Sequence, residues 1–303
     1  MEASMKRELS FLLVMACLLG GQTAEAESAP AVYRVTDGQG RQAFLLGTVH
    51  VGKKEGVSLG KAFEEAWRQA DRLAVEADAE ALDTDPALRA RYASALRCGP
   101  GDKAKKRLSP EAYGLGVAKL GLNEDTLNQL LPAAWVSLAE QKMYASLGLS
   151  GEEGTERRLL RRARAEGKPV EELEGAEEQM RLMQRLPDAV MDGSLLSLLR
   201  DPGAASASAL RLMEAWAAGD RETFAARYEQ EMADHPPEYE AEYAAYYRMV
   251  YEDRNRRFFD RITAGLEQGE TVLYAVGAAH VLGRGALLDM LEAAGYAVEV
   301  MAP

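Results

Sequence analysis

The sequence predicts an α/β protein with a central mixed, largely parallel sheet, flanking helices and a helical insertion at about residues 79–149. Two apolar segments carry most of this prediction, because Phe44–His50 and Leu273–His280 each indicate a buried strand that ends in Gly-x-x-His. Uninterrupted apolar strands are typical of parallel sheets, which are covered on both faces. Strand-like and helix-like segments also alternate along the chain, as parallel neighbours require.

The first motif is flanked by a hairpin, a helix and a further strand. Residues 31–50 predict a β-hairpin around the turn residues Asp37–Gly40. Apolar residues at helical spacing predict a helix over Leu59–Asp71, and Leu73–Glu76 predicts the next strand. A strand, a helix and a strand in this order predict a right-handed parallel crossover.

Helices dominate the middle of the chain. Residues 79–149, the predicted insertion, are irregular and are interrupted by prolines. Residues 155–174 predict another helix followed by a strand, and further helices occupy 176–265. The chain closes with a strand, a helix and a strand at 271–276, 286–294 and 297–300.

The first 26 residues predict a secretory signal peptide. A basic pair at residues 6–7 precedes the apolar stretch Leu9–Leu19, and Ala24–Ala26 provides an A-x-A cleavage site. The mature chain, residues 27–303, is then expected to be a single domain that is secreted or periplasmic. Lipidation at Cys17 is the alternative, since the residues before it loosely resemble a lipobox, and only this lipoprotein form would associate with a membrane.

Charge and cysteine content argue against a nucleic-acid partner, an intramolecular disulfide and a cysteine-based zinc site. The formal net charge is -12 and the basic runs are local, so no nucleic-acid partner is expected. Cys98 is the one cysteine that remains after signal cleavage, which excludes an intramolecular disulfide and a cysteine-based zinc site. The sequence leaves the oligomeric state open.

Histidine is rare in this chain, and two of its three histidines end the two strand motifs. His50 and His280 would lie beyond the carboxyl ends of strands, where α/β proteins bind ligands. We therefore expect both imidazoles to point into one crevice. The third histidine, His235, lies in a proline-rich loop and is not expected to belong to a site.

Glu76 is the natural partner of the two histidines, since it ends the strand after the first motif. Two imidazoles and a carboxylate can hold a divalent metal ion and leave positions open for water. His50, His280 and Glu76 are therefore predicted metal ligands. The alternative is that Glu76 only caps a loop or pairs with an arginine.

Arg254 occupies an apolar helix face between Val250 and Phe258. A guanidinium on a buried face needs a partner, such as Glu76, another carboxylate or a substrate carbonyl. Asn255 could supply an amide to the same region. The alternative is a structural arginine that fixes the helix to strand ends.

Several segments together resemble the TraB/GumN (TraB/PrgY/GumN) family, which is related to the TIKI metalloproteases. The resemblance covers about residues 32–301. The segments that carry it are Leu46–Gly52, Val75–Glu76, Gly167–Glu174 with Glu178–Gln179, Asp253–Asn255 and Val276–Gly285.

The resemblance implies an EreA/ChaN-like α/β fold and a site built from the two histidines, the glutamate and the arginine-asparagine pair. TIKI relatives are described as metal-dependent peptidases, and wider relatives include esterase-like and haem-binding proteins. One departure concerns Gly154–Glu156, since the family often carries Gly-x-Asp there. A site role for Glu156 would require this longer side chain to reach further.

The function predicted from these residues is a metal-dependent, peptidase-like hydrolase in the cell envelope or outside the cell. It would act on a peptide or a small acyl substrate. His50, His280 and Glu76 would hold the divalent metal ion or a catalytic water, and Arg254 with Asn255 would stabilise the oxyanion. Three alternatives remain open: a haem- or ligand-binding envelope protein without catalysis, an inactive structural protein, and a metal-free hydrolase that uses a Glu-His pair.

Overall fold

A six-stranded sheet forms the centre of the protein. The computed structural model describes residues 29–302, so the predicted signal peptide and Cys17 lie outside the described residues. The strands are β1 (Val32–Thr36), β2 (Gln42–Thr48), β3 (Arg72–Val75), β4 (Val170–Glu172), β5 (Val272–Gly277) and β6 (Ala297–Val300). Their order is β4-β3-β5-β2-β1-β6. The first four strands in this order are parallel, and β1 is antiparallel to β2 and β6, so the predicted mixed, largely parallel sheet is confirmed.

Most of the helices occur in two long stretches, one between β3 and β4 and the other between β4 and β5. The first stretch includes all of residues 79–149, the predicted insertion. The α-helices are α1 (Gly60–Gln69), α2 (Ala81–Thr84), α3 (Pro86–Ala95), α4 (Pro110–Lys119), α5 (Glu124–Leu127), α6 (Pro132–Ser146), α7 (Thr155–Glu166), α8 (Ala176–Arg185), α9 (Asp188–Arg200), α10 (Pro202–Ala217), α11 (Arg221–Ala233), α12 (Glu240–Tyr247), α13 (Asp253–Glu267), α14 (Ala278–Leu282) and α15 (Leu287–Ala293). No helix among residues 29–302 combines the length and the apolar character needed to cross a membrane.

Both faces of the sheet are covered, which explains the uninterrupted apolar pattern of β2 and β5. Phe44 and Leu46 pack on one face against α1 and α7. Leu45 and Tyr274 point to the other face and join the larger core built with the remaining helices. Since side chains alternate along a strand, every residue of such a strand meets protein.

The register of β2 and β5 brings the two Gly-x-x-His motifs to the same edge. The two strands are adjacent and parallel, and Thr48 lies opposite Gly277. β3 is the parallel neighbour of β5 on its other side. The carboxyl ends of three parallel strands therefore meet at one place.

Candidate active site

A pocket of about 330 Å³ lies at the carboxyl ends of β2, β3 and β5. Its polar and aromatic lining comprises Thr48, His50, Glu76, Tyr251, Arg254 and His280. Four of the five residues predicted as a site thus line one pocket, and the fifth, Asn255, contacts His280 behind it. The sequence expectation that both histidines share one crevice agrees with this geometry.

The glycines of the two motifs allow close approach in different ways. A Cβ added to Gly47 would lie 3.0 Å from the Cα of Ala278, so this glycine lets α14 pack directly on β2. A Cβ added to Gly277 would lie 3.2 Å from Glu76 Oε1 and 4.0 Å from His50 Nε2. The backbone at Gly277 therefore lies between the site residues, where a side chain would crowd them.

Arg254 lies at the centre of the site, and its side chain is 2% exposed. Its Nε donates to both oxygens of Glu174 at 2.9 and 3.0 Å, and its Nη2 donates to Glu174 and to Glu76. Its Nη1 donates to the Val250 carbonyl at 3.3 Å and to His280 Nε2 at 2.8 Å. Burial opposes the charge, but the two carboxylates outweigh it and raise the pKa of Arg254.

His280 is held as a neutral imidazole. Its Nε2 accepts from the Arg254 guanidinium, which assigns the ring hydrogen to Nδ1, and this donates to Asn255 Oδ1 at 2.7 Å. Burial and the charge of Arg254 lower the pKa of His280 to about 3. His280 therefore stays neutral near pH 7, and its role is to position the Arg254 guanidinium.

Glu76 is an ionised carboxylate with both oxygens engaged. Oε1 accepts the backbone N–H of Gly277 at 2.7 Å, and Oε2 accepts from Arg254 Nη2. Burial alone would favour the neutral acid, but the Arg254 charge lowers the pKa of Glu76 to about 2. The ion pair with an arginine, one of the two sequence interpretations of Glu76, is thus present.

His50 pairs with a different carboxylate, that of Glu156. Its Nδ1 lies 3.3 Å from Glu156 Oε2, and the Glu156 side chain is buried. The pair forms because the start of α7 packs on the His50 backbone: Thr155 N–H donates to the Val49 carbonyl at 2.8 Å, and a Cβ on Gly154 would lie 2.5 Å from the His50 carbonyl oxygen. The glutamate of Gly154–Glu156 therefore reaches the site.

Burial and pairing shift the pKa values of this pair. Burial lowers the pKa of His50, but the hydrogen bond and the charge of Glu156 outweigh it, so the pKa of His50 is raised. Burial raises the pKa of Glu156 despite its hydrogen bond to His50. A histidine with a raised pKa next to a buried carboxylate is an arrangement suited to general-base chemistry.

Three residues of the site were not predicted as site residues from the sequence. Glu174 lies just beyond β4 and contacts Arg254. Its position after a predicted strand could have indicated a site residue. Thr48 is 1% exposed, and its hydroxyl has no hydrogen-bond partner among residues 29–302. Tyr251 lines the pocket, and its ring centroid lies 5.5 Å from that of His280. Thr48 could have been found, because it lies two residues before His50.

The donor atoms of the three predicted metal ligands do not fit a shared divalent ion in this arrangement. Both nitrogens of His280 and both oxygens of Glu76 are in hydrogen bonds. The Arg254 guanidinium occupies the point between them, where its charge would oppose a cation. No group of three or more His, Cys, Asp or Glu residues in the described part of the chain is arranged to hold a metal ion. The metal site stays a prediction from the sequence, which the geometry does not favour.

The parallel strand ends, the two Gly-x-x-His motifs and the buried arginine define an α/β protein with a histidine-containing pocket. A profile of the TraB/PrgY/gumN family matches residues 31–300, and the chain belongs to this family, which confirms the resemblance. It is similar to the uncharacterized protein YbaP of Shigella flexneri and to that of Escherichia coli (strain K12). Each is 27% identical over 260 residues, which cover 83% of this chain and 88% of the relative. No solved structure matches the chain significantly.

Proposed function

We propose that this protein is a hydrolase of peptide or small acyl bonds in which His50 is the general base. One observation carries the proposal: His50 has a carboxylate on Nδ1, while its Nε2 faces a pocket that also contains the Arg254 charge. This favours the metal-free Glu-His form of the hydrolase over the metal-dependent one. The proposal includes the envelope or extracellular location, which is supported by the signal peptide predicted at residues 1–26, and the EreA/ChaN-like relationship, which is supported by the family resemblance.

The reaction begins with a water molecule hydrogen-bonded to His50 Nε2. As the water oxygen bonds to the substrate carbonyl carbon, its proton passes to Nε2, and Glu156 stabilises the imidazolium through Nδ1. When the carbonyl re-forms, the bond to the leaving group breaks and His50 returns the proton to the leaving atom. Glu156 also holds His50 in the required orientation.

The negative charge that develops on the substrate carbonyl oxygen must be stabilised by hydrogen-bond donors or cations in the pocket. The Thr48 hydroxyl has no other hydrogen-bond partner among the described residues and lines the pocket, so it is available to donate. Arg254 supplies positive charge at the same place. Asn255 acts indirectly: it orients His280, and His280 positions Arg254.

The proposal is tested by hydrolysis of p-nitrophenyl acetate and of a panel of fluorogenic peptides across pH 5 to 9. Because the base must be unprotonated, the rate should rise with pH through one ionisation above the ordinary His pKa of about 6.5. His50→Gln should lower kcat/KM by about 10²–10⁴-fold. Glu156→Gln should lower it too and shift the ionisation downwards, because the raising charge is gone. His235→Gln, which alters a histidine outside the pocket, is the matched control.

Metal chelation distinguishes the metal-free hydrolase mechanism from the metal-dependent one. Activity that survives EDTA supports the proposal, whereas activity lost to EDTA and restored by a divalent ion supports the metal-dependent form and refutes the metal-free one. A protein that turns over none of these substrates but binds haem, with a Soret band that His50→Gln abolishes, would support the ligand-binding alternative.

A further inference from the structure

The loop before α7 docks through backbone hydrogen bonds on the segment that carries His50. Gly52 and Ser150 exchange two of these bonds, each 3.0 Å long. The Thr155 N–H, at the start of α7, donates to the Val49 carbonyl at 2.8 Å. Because these bonds lie on both sides of His50 in the chain, the loop and the His50 segment form one packed unit.

Two glycines make this docking close. A Cβ added to Gly52 would lie 2.1 Å from the Glu153 carbonyl oxygen. A Cβ added to Gly154 would lie 2.5 Å from the His50 carbonyl oxygen, whereas Cβ atoms in proteins essentially never approach closer than 3.0 Å. Neither glycine has a positive φ, and Gly154 lies at φ −58° and ψ 148°, which any residue adopts. The close contact, and not conformational freedom, therefore requires glycine at both positions.

The docking distance sets the position of Glu156, which is the second residue of α7. Its Oε2 lies 3.3 Å from His50 Nδ1, at the long end of hydrogen-bond distances, which are usually about 2.7–3.2 Å. In Gly154→Ala the new Cβ would have to move outwards by about 0.5 Å, from 2.5 Å to 3.0 Å, to clear the His50 carbonyl. Since α7 begins at the next residue, Glu156 would move with it and the contact with Nδ1 would be lost.

We propose that Gly52 and Gly154 are positioning residues of the proposed reaction, because they let the loop before α7 dock closely enough for Glu156 to contact His50 Nδ1. The inference rests on the proposed hydrolase function and identifies what orients its base. When Glu156 accepts from Nδ1, neutral His50 carries its ring hydrogen there and Nε2 is free to take the proton of the attacking water. Without this contact, the tautomer with hydrogen on Nε2, which cannot act as the base, becomes populated.

Hydrolysis of p-nitrophenyl acetate by Gly154→Ala tests the inference. The variant should lower kcat by about 10–10²-fold and leave KM within about twofold, because the side chains that line the pocket are unchanged. Gly52→Ala should act in the same way. Gly151→Ala is the matched control in the same loop, since its Cβ would lie 3.7 Å from the His50 carbonyl oxygen, an ordinary contact. It should keep the wild-type kcat.

A double-mutant cycle distinguishes positioning from a general structural effect. If Gly154 acts through Glu156, adding Gly154→Ala to Glu156→Gln should lower kcat by less than about threefold, because both changes remove one contact. Multiplication of the two single losses would overturn the inference, as would a wild-type kcat in Gly154→Ala or an equal loss in Gly151→Ala.

Thr155→Pro loosens the docking by a different change and keeps the start of α7. Proline is favoured at the first position of a helix, and ψ 148° at Gly154 suits a residue that precedes proline. The substitution replaces the N–H that bonds to the Val49 carbonyl with a ring carbon, so kcat should fall as in Gly154→Ala. Circular dichroism and thermal unfolding establish that each variant is folded.

The ring nitrogens of His50 give a measurement that needs no substrate. Nitrogen-15 NMR at a pH where the imidazole is neutral should show hydrogen on Nδ1 in the wild type and in Gly151→Ala. Gly154→Ala should shift the ring towards hydrogen on Nε2, and an unchanged tautomer would overturn the inference. Failure of the hydrolase proposal is distinguishable, because a protein without turnover that shows this tautomer change keeps the positioning assignment and loses only the reaction.

Discussion

Glu140 is a carboxyl group enclosed in the large core, on α6. Its side chain is buried, and its Oε2 has no hydrogen-bond partner in the part of the chain that the structure describes. Burial raises the pKa of Glu140 to about 8, so the group is largely neutral in the folded protein at pH 7. In the unfolded chain the same group ionises near its ordinary pKa.

This difference predicts a pH-dependent loss of stability. A carboxyl group with a raised pKa stabilises the folded state fully below the unfolded pKa, and the contribution is lost as pH rises towards about 8. Glu140→Gln should therefore become more stable than wild type as pH rises from 4.5 to 8, by at most about 1.4 kcal/mol per pH unit. Urea unfolding across this range measures the difference. Glu292→Gln, at an exposed site, should follow the wild-type profile, and a pH-independent effect of Glu140→Gln would contradict the assignment.

At the scale of elements, Arg254 connects α13 to the ends of β3 and β4. Its two carboxylate partners follow these strands, and both of their side chains are at most 5% exposed. A π-helical turn, Arg248–Glu252, precedes α13, and the carbonyl of Val250 in this turn accepts from Arg254. π-helical turns often occur at functional sites. The helix position and the guanidinium position are thus coupled.

Arg254→Lys tests whether the buried hydrogen bonds of Arg254 stabilise the protein more than an exposed ion pair does. Lysine cannot reproduce several N–H donors in one plane, so two buried carboxylates lose hydrogen bonds and the protein should be destabilised by about 3–5 kcal/mol. Arg257→Lys is the matched control, because Arg257 also contacts Glu174 but is 45% exposed. It should change stability by less than about 1 kcal/mol. Chemical denaturation of both variants measures the contrast, and equal effects would refute it.

For the whole molecule, the site makes the folded state sensitive to acid. The pKa values of Glu76 and His280 are lowered to about 2 and about 3. A group with a lowered pKa contributes stability above its unfolded pKa, and this is lost as pH falls through the folded value. The difference in unfolding free energy between wild type and His280→Gln should fall continuously from pH 6.5 to 3, because the groups with raised pKa values, Glu140 and Glu156 among them, are present in both proteins. A flat profile between pH 6.5 and 4.5 would show that His280 is not held neutral.

Local patterns in the sequence were sufficient for much of the sheet and for the buried arginine. The apolar segments before His50 and His280 predicted buried parallel strands, since only a strand covered on both faces has no polar side. The gap in the apolar stripe predicted the burial of Arg254, which is observed. Glu76 was one of the partners considered for Arg254, and the structure shows that contact. Glu174, the second partner, could not be chosen from the sequence, because it is far from Arg254 along the chain.

The sequence by itself determined the strand motifs, the family and four of the side chains that line the pocket, namely His50, Glu76, Arg254 and His280. Only the tertiary structure decided which histidine has a free nitrogen. The order of the strands places Arg254 against His280 and Glu76, while the packing of α7 on β2 places Glu156 against His50. Protonation and ligand capacity depend on these neighbours, and neighbours distant in the chain are set by packing rather than by local pattern.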